Sequence, residues 1–211
     1  MQPLPLRIVV TAGPTREHLD PVRFLSNPST GKMGFAIAAE AARRGHAVTL
    51  VAGPVALKTP RGTRRIDVVS AREMCAAVRR AVADGADVFV AVAAVADWRP
   101  AKCASRKLKK HEMASTLKLV RNPDILKSVK GVKKVGFAAE TNDVLAEAVR
   151  KCREKGLSFI VANDVTQAGC GFGTDTNRVT FVFPDGAVER LPFLSKRTVA
   201  RRIVKEIEQL R

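Results

Sequence analysis

KMGFAIAAEAARRGHAVTLVAG (32–53) decides the fold. Lys32–Arg44 carries apolar residues at helical spacing, Gly45 ends it, and Ala47–Ala52 follows as an apolar run with the character of a buried strand. The same alternation extends both ways. Leu6–Thr11, Ile66–Val69, Asp87–Ala93, Val135–Ala139 and Leu157–Ala162 read as further buried strands. Ala71–Asp84 and Asp143–Lys155 read as helices, capped by Ser70 and Asn142 and closed by Gly85 and Gly156. Alternation of this kind predicts an α/β fold: a doubly wound, Rossmann-like, mostly parallel sheet with helices on both faces. Beyond it, Asn177–Phe183 and Ala187–Leu191 flank Pro184-Asp185-Gly186, which predicts a C-terminal hairpin extension at about 177–191. Ser195–Leu210 is amphipathic, led by Ser195 as a cap. With no internal repeat or linker, one domain over 1–211 is expected.

Apolar residues make up 46% and charged residues 27%, an ordinary globular balance that excludes wholesale disorder. Lys and Arg number 37 against 20 acids, a formal charge of +17, which favours anionic partners. Twelve of the basic residues fall within 99–134, where KCASRKLKK (102–110) reads as a mobile basic loop. No run approaches the ~18 apolar residues of a membrane span, and residues 1–7 lack a signal peptide's apolar stretch. Cys75, Cys103, Cys152 and Cys170 lie far apart, as do the three histidines, so no zinc site is expected. Reduced thiols and a cytoplasmic, non-membrane protein are the expectation.

Several segments carry polar chemistry at predicted strand exits, where a doubly wound sheet has its ligand crevice. TAGPTRE (11–17) offers hydroxyls and Gly13, a residue that lets backbone approach a ligand. RFLSNPSTGKMG (23–34) opens the first long helix and resembles an anion cradle of hydroxyls, glycine and free amides. It is not a P-loop, since Ser26 stands where glycine is needed and Met33 where Ser or Thr is needed. A dinucleotide fingerprint is missing too, and the second strand ends Val51-Ala52-Gly53 with no acid for a ribose. AVAAVADWR (91–99) leaves room for a planar group and presents Asp97 as the first polar side chain. Asn122-Pro123-Asp124-Ile125 begins a helix. Asn122 and Asn163 read as caps or turn formers, and Phe137 as core.

Taken together, TAGPTRE (11–17), DPVRFLSNPSTGKMG (20–34), AAVADWRP (93–100), KLKK (107–110), NPDIL (122–126), VGFAAET (135–141), VANDV (161–165) and GFGTDTN (171–177) resemble the phosphopantothenate–cysteine ligase family. They occur in order and cover nearly the whole chain. The resemblance implies a ligation in coenzyme A biosynthesis: the carboxylate of 4′-phosphopantothenate attacks the α-phosphate of CTP, and the amine of L-cysteine then displaces CMP. It implies Mg²⁺ or Mn²⁺ with CTP as co-substrate, no flavin, and a homodimer. Metal ligands are left open. Because the chain begins at Met1 directly before the first strand, the pathway's decarboxylase is expected on a separate protein.

Residue by residue, the resemblance implies Asn27 and Lys107 as catalytic, the latter on a basic flap at about 99–112. It implies Arg23, with Gly13, Ser29, Thr30 and Gly31, for phosphopantothenate. It implies Ala91, Val92, Ala93, Asp97, Lys107, Asn122, Pro123, Asp124, Ile125, Phe137, Lys151 and Lys155 for CTP. Lys151 and Lys155 lie four apart on a helix, so both can face one ligand. Pro28, Thr30 and Trp98 depart from the commoner family residues. Two rivals remain: the same ligation with ATP, and a basic Rossmann-like nucleic-acid-binding protein. Against the second, aromatics are nine Phe and one Trp, several of the Phe within predicted strands, leaving few platforms for base stacking. No specific nucleic-acid partner is therefore expected.

Overall fold

The computed structural model describes residues 4–112, 116–140, 144–164 and 169–210. Strand β1 (Arg7–Ala12) leads into a small hairpin, β2 (Arg16–His18) and β3 (Phe24–Ser26), and then into helix α1 (Lys32–Arg43). Strands β4 (Ala47–Ala52) and β5 (Thr63–Asp67), helix α2 (Ala71–Ala83) and strand β6 (Val88–Ala91) follow. A second small hairpin pairs β7 (Trp98–Pro100) with β8 (Leu119–Arg121), the basic segment lying between its strands. Next come α3 (Ile125–Ser128), β9 (Lys133–Glu140), α4 (Val144–Glu154) and β10 (Phe159–Asp164). The chain ends with β11 (Thr176–Asn177), β12 (Val179–Val182), β13 (Val188–Arg190), β14 (Leu194–Ser195) and α5 (Lys196–Ile207).

Eight strands form the central sheet, in the order β13-β12-β10-β9-β6-β1-β4-β5. From β5 to β10 all neighbours are parallel, and β12 and β13 add an antiparallel hairpin at one edge. Strand order reverses between β1 and β6, where a doubly wound sheet opens its ligand crevice. The sequence-based architecture therefore holds, with shifted boundaries. The hairpin begins at Val179, because Asn177 belongs to β11 and pairs with Leu194. The strand expected at Ile66–Val69 runs instead over Thr63–Asp67. The one expected to reach Ala93 stops at Ala91, because the Val92 and Ala93 amides turn to the Thr11 hydroxyl (3.1 and 3.2 Å).

Period-two alternation sorts β1 between two cores. Ile8, Val10 and Ala12 face α1 and α5, together with Phe35, Ile37, Ala38 and Ile203. Val9 faces α2, with Met74, Val78 and Phe89. Burying Phe35 or Ile37 is worth about 1.5–3 kcal/mol each, so α1 is held chiefly by this stripe. Ser70 caps α2 by accepting from the Glu73 amide (3.2 Å), while Glu73 accepts from Val69 (2.8 Å). Buried Glu17 accepts from the Ala71 amide (2.8 Å), so the acid of TAGPTRE secures the start of α2. Ser195 caps α5 as expected (3.2 Å), while Asn142 lies outside the described residues. All four cysteines are free, and burial pushes the Cys152 thiol up. Among the described residues no helix is long and apolar enough to cross a membrane.

Candidate functional site

The crevice is built around the segment leaving β6. Beyond the Thr11 bonds, the Thr15 hydroxyl accepts from the Ala96 amide (3.0 Å). The Ala94 amide donates to the Gly13 carbonyl (2.9 Å), and the Asn27 side chain donates to the Ala94 carbonyl (3.1 Å). Asn122 donates to the Ala96 carbonyl (2.8 Å), and its own amide donates to Asp97 (2.8 Å). Residues 92–97 thus form a fixed platform, pinned by side chains that the sequence presents as separate motifs. Preorganised polar groups of this kind cost no rearrangement when a ligand arrives.

Beside the platform is a cavity of about 580 Å³. It brings together Ala91, Ala93, Asp97, Asn122, Pro123, Asp124, Ile125, Phe137 and Lys155. The small side chains of Ala91 and Ala93 leave the space, and Asp124 both caps α3 (3.1 Å from the Lys127 amide) and pairs with Lys155 (3.2 Å). A smaller cavity of about 130 Å³ contains Val92, Ser29, Thr30 and Gly31. Ala93 and Phe137 border both cavities, so the two adjoin. Lys151 lines neither; it lies one helical turn before Lys155, where its charge lowers the Glu147 carboxyl's pKa alongside the larger effect of Arg150. Gly13, Arg23, Asn27 and Lys107 also line neither cavity.

The smaller cavity has the makings of an anion site. Gly31 precedes α1 in the left-handed region (φ 77°), which glycine tolerates without a Cβ penalty. No side chain caps α1 and its first turn holds no acid, so its first amides are available to an anion. A Cβ on Gly31 would come within 3.3 Å of the Gly13 amide nitrogen, so the two glycine turns approach closely here. The Thr30 hydroxyl donates to the Phe172 carbonyl (2.7 Å), and Lys32 donates to Gly173 (2.9 Å) and Asp175 (2.7 Å). Buried Lys196 donates to the carbonyls of Thr174 (2.6 Å), Gly171 and Phe172 (both 3.3 Å), and desolvation pulls its pKa down.

Asn163, Phe172, Asn177 and Lys196 are lining residues that sequence reasoning did not select. Asn163 is 5% exposed; its Nδ2 donates to Cys170 (3.0 Å), and among the described residues its Oδ1 has no partner. The signal available for it was the VANDV match alone. Trp98 and Arg121, at the mouth of the larger cavity, were likewise left out of the expected site.

Among the described residues the basic segment is tied to the first hairpin through Ala104 and Leu108. The Ala104 amide donates to Leu19 (2.8 Å). The Leu108 amide donates to Asp20 (3.2 Å), while Arg23 donates to the Leu108 carbonyl (2.8 Å). Asp20 is buried and also accepts from the amides of Val22 (2.9 Å) and Arg23 (2.8 Å) and from the Arg23 guanidinium. Lys107 is exposed beside this anchor. The Arg23 guanidinium and the backbone amides hold the Asp20 carboxyl well below the usual carboxylate range. A depressed carboxyl contributes stability that is complete above its unfolded value, 3.8, and lost as pH falls towards its folded value. The stability gap between wild type and Asp20→Asn is therefore expected to be constant from pH 7 to 5 and to shrink below about 4. Denaturant melts across that range check it. A gap that widens in acid contradicts the assignment.

Residues 5–210 match the family model described as DNA/pantothenate metabolism flavoprotein C-terminal domain. The Coenzyme A biosynthesis bifunctional protein CoaBC of Escherichia coli (strain K12) is 49% identical over 210 residues, covering 96% of this chain and 51% of that protein. The protein of the same name from Vibrio vulnificus (strain YJ016) is 47% identical over 219 residues, covering 99% and 54%. The chain spans about half the length of these curated relatives. A crystal structure of the C-terminal domain of CoaBC superposes with a TM-score of 0.82 at 42% identity, covering 97% of this chain and 95% of that one. A mutant of Cab2 in complex with phosphopantothenate-cysteine shares the fold, with a TM-score of 0.75 at 15% identity over 97% of this chain and 87% of that one. With its switch-point crevice and a family match over almost its whole length, the chain belongs to the DNA/pantothenate metabolism flavoprotein C-terminal domain family.

Proposed function

We propose that the chain ligates 4′-phosphopantothenate to L-cysteine in coenzyme A biosynthesis, using CTP. The reading is carried by one observation: nine of the residues expected for CTP share one cavity, and it adjoins the anion segment across Ala93 and Phe137. A nucleotide and a phosphorylated carboxylic acid can then meet at the platform. A carboxylate oxygen of phosphopantothenate bonds to the α-phosphorus, and the bond to the pyrophosphate oxygen breaks. The cysteine amine next bonds to the acyl carbon, CMP leaves with its oxygen, and the amine loses a proton. In this reading Asn27 reaches the acyl oxygen from beside Ala94, and Lys107 brings positive charge to the phosphates.

Among the described residues no three His, Cys, Asp or Glu side chains converge as metal ligands. The divalent cation, Mg²⁺ or Mn²⁺, is accordingly read as part of the nucleotide substrate, held by phosphate oxygens and water. A homodimer as the working form is carried over from the family resemblance alone.

The reading is tested by pyrophosphate release. Release is expected to require phosphopantothenate and CTP but not cysteine, with ATP a poor substitute. Release supported by cysteine without phosphopantothenate contradicts it. Lys107→Gln is expected to slow this first step while changing stability by no more than about 0.5 kcal/mol, as for exposed side chains generally. A large fall in Tm instead assigns Lys107 a structural role.

A further inference from the structure

Arg121 ends β8 opposite Trp98 of β7, and its guanidinium carbon lies 5.3 Å from the centre of the indole ring. Both side chains line the larger cavity. The other cations there are Lys127 and Lys155, and Lys155 is already paired with Asp124. Among the described residues no carboxylate pairs with Arg121, so its full charge faces the cavity mouth. Stacking on an aromatic face restricts the guanidinium and leaves its edge N–H groups directed outward, ready for a planar, two-point contact with phosphate oxygens. The guanidinium sits over one face of the indole, so on that face the wall offers a cation, a group suited to phosphate.

We infer that Arg121, seated on Trp98, is a phosphate-binding residue that holds the pyrophosphate portion of the nucleotide, an inference that rests on the nucleotide-dependent reading above. In that reaction the charge on the pyrophosphate oxygen grows as the phosphorus–oxygen bond breaks, and a guanidinium in contact with it stabilises the departing group. Arg121 is exposed, so the fold does not depend on it.

The test titrates wild type, Arg121→Gln and Arg121→Lys with magnesium pyrophosphate and with magnesium CTP by calorimetry, while following the emission of Trp98, the only tryptophan in the chain. Arg121→Gln is expected to weaken both ligands by about tenfold or more, and Arg121→Lys, which keeps the charge without the fork, by less. KM for CTP should rise in Arg121→Gln while KM for phosphopantothenate stays put. Wild-type saturation should change Trp98 emission. Arg121→Gln binding both ligands like wild type overturns the inference, as does wild-type saturation with no change in Trp98 emission or a wild type that binds neither probe. If pyrophosphate binding depends on Arg121 but CTP supports no turnover in wild type, the phosphate site stands and the ligase reading falls. If wild type makes product and Arg121→Gln matches it in affinity and KM, the reverse holds.

Discussion

Asn27→Asp is expected to slow amide formation by about 10²–10³-fold, the usual cost of losing an oxyanion donor, while pyrophosphate release suffers far less. The Asn27 amide carries two hydrogens, and one of them is committed to the Ala94 carbonyl at 3.1 Å. In the proposed reaction the other meets the acyl oxygen, where negative charge grows as cysteine attacks. Aspartate is nearly the same size but offers an ionised acceptor at both places. It repels the developing oxyanion and takes away one of the two donors to the Ala94 carbonyl, leaving only the Thr15 amide. Activation by CTP depends instead on positive charge around the phosphates. The variant mixed with phosphopantothenate and CTP should therefore accumulate an acyl-cytidylate that resists cysteine, visible by mass spectrometry of the quenched mixture. Loss of the Ala94 bond itself costs only about 0.5–1.5 kcal/mol, so a modest fall in Tm is compatible with this outcome. Normal product formation with no intermediate removes Asn27 from the reaction.

The largest effect on folding is expected from Gly53→Ala. A Cβ there would lie 1.7 Å from the Pro14 carbonyl oxygen and 2.8 Å from its carbon. These are backbone atoms and cannot swing aside. Pro14 bridges to Ala94, the Thr15 amide donates to the Ala94 carbonyl (3.3 Å), and the Arg16 amide donates to Val69 (2.8 Å). Moving Pro14 therefore displaces the platform and the approach to α2 together. Overpacking in a tight interior costs about 1–3 kcal/mol and occasionally more, and a backbone collision this close belongs at or beyond the upper end. A fall in Tm of about 10 °C follows for a chain of this size. Gly45→Ala is the control: its added Cβ meets nothing within 4 Å, although φ is 87°. It should cost only the ~1–2 kcal/mol of a left-handed non-glycine residue. A Gly53→Ala protein as stable as wild type shows that the two turns do not touch in solution.

How much of this could be read from residues alone follows from the range of the interactions involved. The alternation of Ile8, Val9 and Val10, the helical stripe of Phe35, Ile37, Ala38 and Ala41, and the glycines closing three helices are patterns between near neighbours. Burial and backbone geometry act on such spacings directly, so strands, helices and the parallel class were legible before any coordinates. The short hairpins were not. Three residues such as Phe24–Ser26 carry no periodicity, and their hairpin is anchored by the Asp20 carboxylate, whose contact with Leu108 spans 88 positions.

The site divides the same way. By itself the sequence determined which residue types were present for anion and nucleotide chemistry, and its family resemblance marked where along the chain they stood. Only the tertiary structure decided what each one touches. Thr11 is spent on amides 81 and 82 positions away, and Thr30 on a carbonyl 142 away. Asn27 is shared with the platform, Arg23 with the basic segment, and Arg121 rests on Trp98. The physical reason is that a polar side chain announces a donor or an acceptor but not its partner. Across such distances along the chain, partners are chosen by how the whole sheet and its helices pack.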